Sequence, residues 1–287
     1  MISNTELLDE ATLPAEDALQ LEAMLFARCY WYTLFNKIFG GTPDAATIEQ
    51  LTSDVARDAI EEYAEASDTM RAFLDFLQQL ADQDTEGLLD AARDEYTRVF
   101  IGPGALPASP YESPYRDAHD MALFQENTLS VRKCYEIYGL RARRIQAVPD
   151  DHVALECAFM AEMSSRALGA FRTGEAHGCA KDLRNQLAFA SRHLTGWLDT
   201  FATSVRNSKA GAAAICYPQL LEAVAAFVTS DIDFMSEAAY TLENLHEDAL
   251  AGAGVAPELA SAQQALVTAQ SLRPFGIEDN ELVSIEN

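Results

Sequence analysis

Apolar residues recur every three or four positions along nearly the whole chain, and one proline-rich stretch interrupts that rhythm. Leu21, Leu25, Cys29, Tyr32, Phe35 and Phe39 form a single stripe that ends at Gly40 and Gly41. This spacing puts side chains on one face of an α-helix, so the stripe predicts one. A second helix is predicted from Asp68, read as its N-cap, through Met70, Phe73, Leu77 and Leu80. A third runs from Thr85 to Phe100. Further helices are expected over about 119–138, 152–171 and 177–205, and from Pro218 to near Asp231. Gly139 is the expected C-cap of the first of these, and Asp150 or Asp151 the N-cap of the second. Runs of alternating β-branched residues are missing, so strands are not expected.

The interruption is GPGALPASPYESPY, residues 102–115, which holds four of the ten prolines. Each proline removes a backbone donor and fixes φ, so the segment cannot be helical and is stiffer than a Gly/Ser linker. Its GPG is no phosphate loop, because GxxxxGK is not there. Tyr96, Tyr111 and Tyr115 stand in and around it with Glu95, Ser109, Glu112 and Ser113. Rigid rings and carboxylates suit the wall of a groove that takes an arginine-bearing peptide. The plainer alternative is an inter-helix connection whose tyrosines pack on the bundle.

The formal net charge is -25, from 45 Asp and Glu against 20 Lys and Arg. That sign excludes a protein held to nucleic acid or an anionic membrane by its overall field. It suits a cationic partner, or solubility alone. After Thr229 the chain carries eleven carboxylates and one base, Arg273, which marks 232–287 as an acidic helical extension with a loose tail from Pro274. The five cysteines form no CxxC, so neither a zinc site nor a disulfide framework is expected. MISNTELLDEATLPAED has no basic start and no apolar run, so no export signal is expected. Ala210–Leu221 is too short to span a bilayer, and no stable membrane insertion is expected. A cytoplasmic protein follows.

The stretch PDDHVALECAFMAEM, residues 149–163, could suggest chemistry. Adjacent residues such as Asp151 and His152 point about 100° apart on a helix, and GxSxG is missing, so no catalytic triad is indicated. His152 and Glu156 share a face at i, i+4, but two ligands fall short of a zinc site. Catalytic and metal residues are therefore both expected to be none.

EYTRVFIGPGALPASPYESPYRD (95–117), VPDDHVALECAFMAEM (148–163), HLTGWLDTFATSVR (193–206) and CYPQLLEAVAAFVTSD (216–231), in this order, resemble the TorD/DmsD family of cytoplasmic molybdoenzyme chaperones. The resemblance spans roughly residues 20–231. It implies an all-α fold, a helical bundle of two halves joined by a hinge near 140–150. The halves are 1–147, including the Pro-rich loop 102–116, and 148–231, and the extension 232–287 inherits no family role. The resemblance also implies a chaperone that binds the twin-arginine leader and apo form of a molybdopterin oxidoreductase subunit, with the Tat translocase as a further partner. Carried over residue by residue, the peptide-binding set is Tyr96, Ser109, Tyr111, Glu112, Ser113, Tyr115, Asp150, Asp151, His152 and Glu156. Phe100, Gly102, Pro103 and Met160 accompany them, and Cys157 stands where the family has a large aliphatic residue. No cofactor is implied, with GTP the nucleotide left to test. The alternatives are a helical adaptor and a nucleotide-linked switch without leader specificity.

Overall fold

The structure is a computed structural model that describes residues 13–102, 104–116, 126–143, 148–245 and 282–285. Pro103, His119, Arg144, His246 and most of the acidic tail lie outside the described residues. The fold is all-α. Its helices are α1 (Ala15–Gly40), α2 (Ala45–Leu51), α3 (Asp54–Ala66), α4 (Asp68–Ala81), α5 (Thr85–Tyr96), the single turn α6 (Ser113–Arg116), α7 (Glu126–Ile137), α8 (Val153–Arg172), α9 (Ala176–Phe189), α10 (Trp197–Arg206), the single turn α11 (Lys209–Ala212) and α12 (Tyr217–Glu243).

Several starts are capped by side chains that satisfy free backbone N–H groups. Asp44 accepts from Thr47 N, Ser53 from Ala56 N and Asp84 from Gly87 N. Ser67, not Asp68, is the cap of α4, and it accepts from Met70 N. Asp68 sits one place inside, where its charge favours the positive end of the helix dipole. The start of α12 is capped from far away. The buried Glu95 carboxylate accepts the N–H groups of Ile215, Cys216 and Tyr217 at 2.6, 2.9 and 2.9 Å.

α1 is the axis of the bundle. Every residue from Leu25 to Gly40 is buried, so the expected single stripe is covered on all sides. It packs most closely along α8, and α12 lies against α4, α9 and α10. Helices from before and after the hinge therefore share one core. Trp31 meets Phe73 at 5.2 Å between ring centroids, and Phe227 of α12 meets Tyr63 of α3 at 4.5 Å.

Four expectations need correction. The helix read through to Phe100 changes at Thr97–Ile101 to a π-helical turn, and the helix read as 177–205 does so at Ala190–Leu194 before breaking at Gly196. A π turn accommodates one extra residue, so the apolar spacing continues through it and hides it. α12 does not stop near Asp231 but runs on to Glu243, because Asp231 is buried inside the bundle rather than exposed at an end. A short antiparallel ribbon exists where no strand was expected: β1 (Leu140–Ala142) pairs with β2 (Leu282–Ser284). The end of the acidic tail is thus docked on the hinge, with Ile285 N donating to Gly139 O at 2.7 Å. Gly139 does end α7 as expected, with φ 71°. Among the described residues, no helix is long and apolar enough to cross a membrane.

Candidate functional site

The proline-rich segment lies across the start of α8. The chain leaves the π turn at Gly102, which has φ 75° and where an added Cβ would lie only 2.6 Å from the Gly104 carbonyl oxygen. Gly102 N–H donates to Thr97 O, so that amide is not offered to a phosphate. Further on, Glu112 N donates to Asp151 O at 3.0 Å and Val153 N to Pro110 O at 2.9 Å. Tyr111 and His152 form an isolated antiparallel bridge, with the rings edge to face at 5.1 Å. Loop and hinge are stitched into one unit.

Buried carboxylates tie this unit to its neighbours. Asp151 accepts from Ser113 N at 2.9 Å, Ser113 Oγ at 2.5 Å and Thr128 Oγ1 at 2.9 Å. Asp150 holds Arg132 at 2.7 Å. Glu112 takes Arg116 Nε on one oxygen at 2.8 Å and His193 Nδ1 on the other at 3.0 Å. Arg116 reaches on to the carbonyls of Arg192 and Thr195, at the end of the second π turn. Glu156 is fully buried with no partner on either oxygen. Burial, with Glu112 and Asp151 adding to it, pushes its carboxyl well above the usual range, so it holds its proton.

The ten anticipated site residues are thus brought together, but seven are buried: Tyr96, Glu112, Ser113, Asp150, Asp151, His152 and Glu156. Ser109, Tyr111 and Tyr115 are half-buried. Tyr96 stacks on Phe100 at 5.2 Å, and Tyr115 donates to Ser109 O while its ring packs on Trp197. The expected N-cap of α8, Asp150 or Asp151, is His152 instead: its Nδ1 accepts from Ala154 N at 3.1 Å. Both aspartates are already engaged elsewhere. Met160 and Cys157 sit in the core, as a helix interior position allows.

Other participants carried no signal in the sequence reading. Arg116 could have been found, since it stands four residues from Glu112 on one helical turn. Arg132, Thr128 and His193 lie 18, 23 and 81 residues from their partners. No local pattern links them.

The two histidines respond to pH in opposite ways. Burial lowers His152 to about 3, so it stays neutral in the fold while the unfolded chain, near 6.5, takes up a proton. Its contribution falls as pH drops from 6.5 toward 3. For His193 burial works against the charge, but the hydrogen bonds to Cys134 and Glu112 outweigh it and raise the value. Its contribution is full below about 6.5 and is lost as pH rises through the folded value. Asn at position 152 keeps a capping oxygen without the titration. H152N is therefore expected to lose about 2 kcal/mol less stability than the wild type between pH 6.5 and 5, read by urea unfolding. Parallel losses in the two proteins would show that His152 is solvated.

The chain matches the family model described as nitrate reductase delta subunit over residues 61–203, a span that contains the loop, the hinge and α8. It is 28% identical over 218 residues to the chaperone protein TorD of Shewanella piezotolerans, covering 73% of this chain and 93% of that protein. It is 32% identical over 108 residues to the Tat proofreading chaperone DmsD of Salmonella paratyphi A, covering 36% of this chain and 48% of that one. A solved structure described as a redox enzyme maturation protein of Archaeoglobus fulgidus overlaps 72% of this chain and 93% of its own, at 20% identity and a TM-score of 0.37. With the family model covering the loop, the hinge and α8, and with TorD and DmsD among its relatives, the chain belongs to the TorD/DmsD family.

Proposed function

We propose that this protein is a cytoplasmic maturation chaperone rather than an enzyme. It binds the twin-arginine leader and the apo form of a molybdopterin oxidoreductase subunit, aids cofactor insertion and proofreads before hand-over to the Tat translocase. The observation that carries this reading is the likeness to TorD across 93% of that chaperone's length. The charge supports it: a chain of net charge -25 attracts a segment with adjacent arginines. The chaperone works without a cofactor, and a thermal-shift measurement with GTP tests that part, since a saturable rise in Tm would overturn it.

The welded loop and hinge bear on how binding proceeds. Glu112 and Asp150 already hold guanidinium groups, those of Arg116 and Arg132. Leader arginines engage these carboxylates only by displacing the chain's own, with the half-buried Tyr111 and Tyr115 at the edge of the exchange.

Calorimetric titration with a twin-arginine peptide and its Lys-Lys version tests the function. The Arg-Arg peptide is expected to bind about tenfold more tightly, because guanidinium forks pair bidentately with carboxylates and ammonium groups do not. Raising ionic strength from 50 to 300 mM should weaken both, as screening predicts. Equal affinity for the two peptides would remove the leader specificity.

A further inference from the structure

The carboxylates of the loop and hinge are occupied by internal partners, yet a leader's arginines need acceptors on first contact. A groove at the N-terminal end of α1 has them. It is a cleft of about 370 Å³ between the start of α1, the end of α3 and the end of α12. Leu21, Met24 and Phe234, all half-buried, give it an apolar floor. The exposed carboxylates Asp17, Glu62 and Glu237 stand around that floor, one from each helix. No lysine or arginine among the described residues lines the groove. Among the described residues, none of the three carboxylates has an ion pair, unlike Glu22 nearby, which holds Arg172 at 2.6 Å.

We propose that this groove is the first docking site for a cationic amphipathic segment, with its apolar face on Leu21, Met24 and Phe234 and its arginines on Asp17, Glu62 and Glu237. The proposal rests on the chaperone reading above and adds to it a surface outside the residues that the motifs mark. Charge selects the occupant. Residues 1–12 of this chain carry Glu6, Asp9 and Glu10 and no base, so they would set carboxylate against carboxylate. Residues 246–281 carry six carboxylates against Arg273, and a second copy of the chain brings another net -25. Like charges at such a surface are unfavourable, whereas a partner with paired guanidiniums removes the repulsion among the three rim groups. An apolar stretch beside those arginines covers the floor that now faces water.

The test titrates the full chain with a fluorescent peptide of two adjacent arginines followed by about a dozen apolar residues, roughly three helical turns. It compares wild type with the isosteric triple variant D17N/E62Q/E237Q and with M24Q, and repeats the titration with Gln-Gln in place of Arg-Arg. All substitutions are at exposed or half-buried sites, and circular dichroism checks that the fold is kept. The triple variant is expected to bind about tenfold more weakly, roughly twofold from each exposed charge pair. M24Q should weaken binding several-fold for both peptides, and the Gln-Gln peptide should not distinguish wild type from the triple variant. If wild type binds the Arg-Arg peptide and the triple variant matches it within about twofold, the groove is overturned while leader binding stands. If wild type binds neither peptide, the leader reading itself falls. A chain lacking residues 1–12 that binds tenfold tighter would show that its own N-terminus fills the groove, which also overturns the proposal.

Discussion

Replacing Asp231 by alanine is expected to destabilise the protein by about 3–5 kcal/mol, the scale seen when one partner of a buried ion pair is removed. Asp231 and Arg28 are both completely buried, and the Arg28 Nε meets the carboxylate at 2.6 Å. The same carboxylate accepts from Tyr32 at 2.8 Å and Tyr63 at 3.1 Å, so it joins α1, α3 and α12. Arg28 in turn reaches Gln186 of α9 at 2.7 Å, and Ser164 of α8 completes the network on the same amide oxygen. Without Asp231 the guanidinium has no counter-charge and cannot give up its proton, because burial alone does not bring arginine near neutral pH. Two phenols also lose their acceptor. The double variant R28M/D231L should recover much of the loss, since an apolar pair of similar volume avoids the desolvation that both ions carry. Chemical denaturation with a shared m value measures both. A loss below about 1 kcal/mol in the single variant would mean that water reaches Arg28 when Asp231 is gone.

This network shows where sequence reasoning stops. The apolar spacing of Leu21 through Phe39 predicts α1 well, because burial of a face is a local, periodic demand. The same spacing passes over Arg28, whose partner is 203 residues away. Asp231 looks like the beginning of an acidic extension because ten more carboxylates follow it, yet three donors from two distant helices hold it in the core. The caps divide in the same way. Acid or hydroxyl residues near a helix start are visible, but Ser67 rather than Asp68, and His152 rather than Asp150 or Asp151, take the capping role. Which neighbour caps is decided by what else competes for the oxygen. Asp150 and Asp151 are claimed by Arg132, Ser113 and Thr128. The ribbon of β1 and β2 had no signal at all, since three residues per strand cannot display an alternation and the partners lie about 140 residues apart. At the candidate site, the motifs located the loop and the hinge, but their polar groups read as if facing a ligand. The fold turns most of them inward, because a stiff proline-rich segment crossing a helix start leaves amides and hydroxyls that only buried acceptors satisfy.

Asp151→Ala is expected to cost about 3 kcal/mol and to loosen the loop from α8. The carboxylate is 1% exposed and serves one amide and two hydroxyls, so its loss leaves buried donors without an acceptor, at about 1–3 kcal/mol for each one unsatisfied. The total stays below the sum because Ser113 and Thr128 lie 3.2 Å apart and can bond to each other. Hydrogen exchange reads the outcome directly: Ser113 N loses its acceptor, and the Val153 and Glu112 amides that stitch loop to hinge lose protection with it. Leader binding then separates two roles for Asp151. If it only holds the loop, the alanine variant weakens Arg-Arg and Lys-Lys peptides by the same factor, in step with the lost protection, because both meet the same loosened surface. If it accepts a leader guanidinium after displacement of the internal donors, the Arg-Arg peptide alone loses affinity. Asp151→Asn sharpens the distinction. It keeps an oxygen for Ser113 N and Oγ, turns an amide N–H toward Thr128 Oγ1, which can accept it, and removes the charge. A loop-holding role then predicts near-normal binding and a guanidinium-accepting role predicts nearly the full loss.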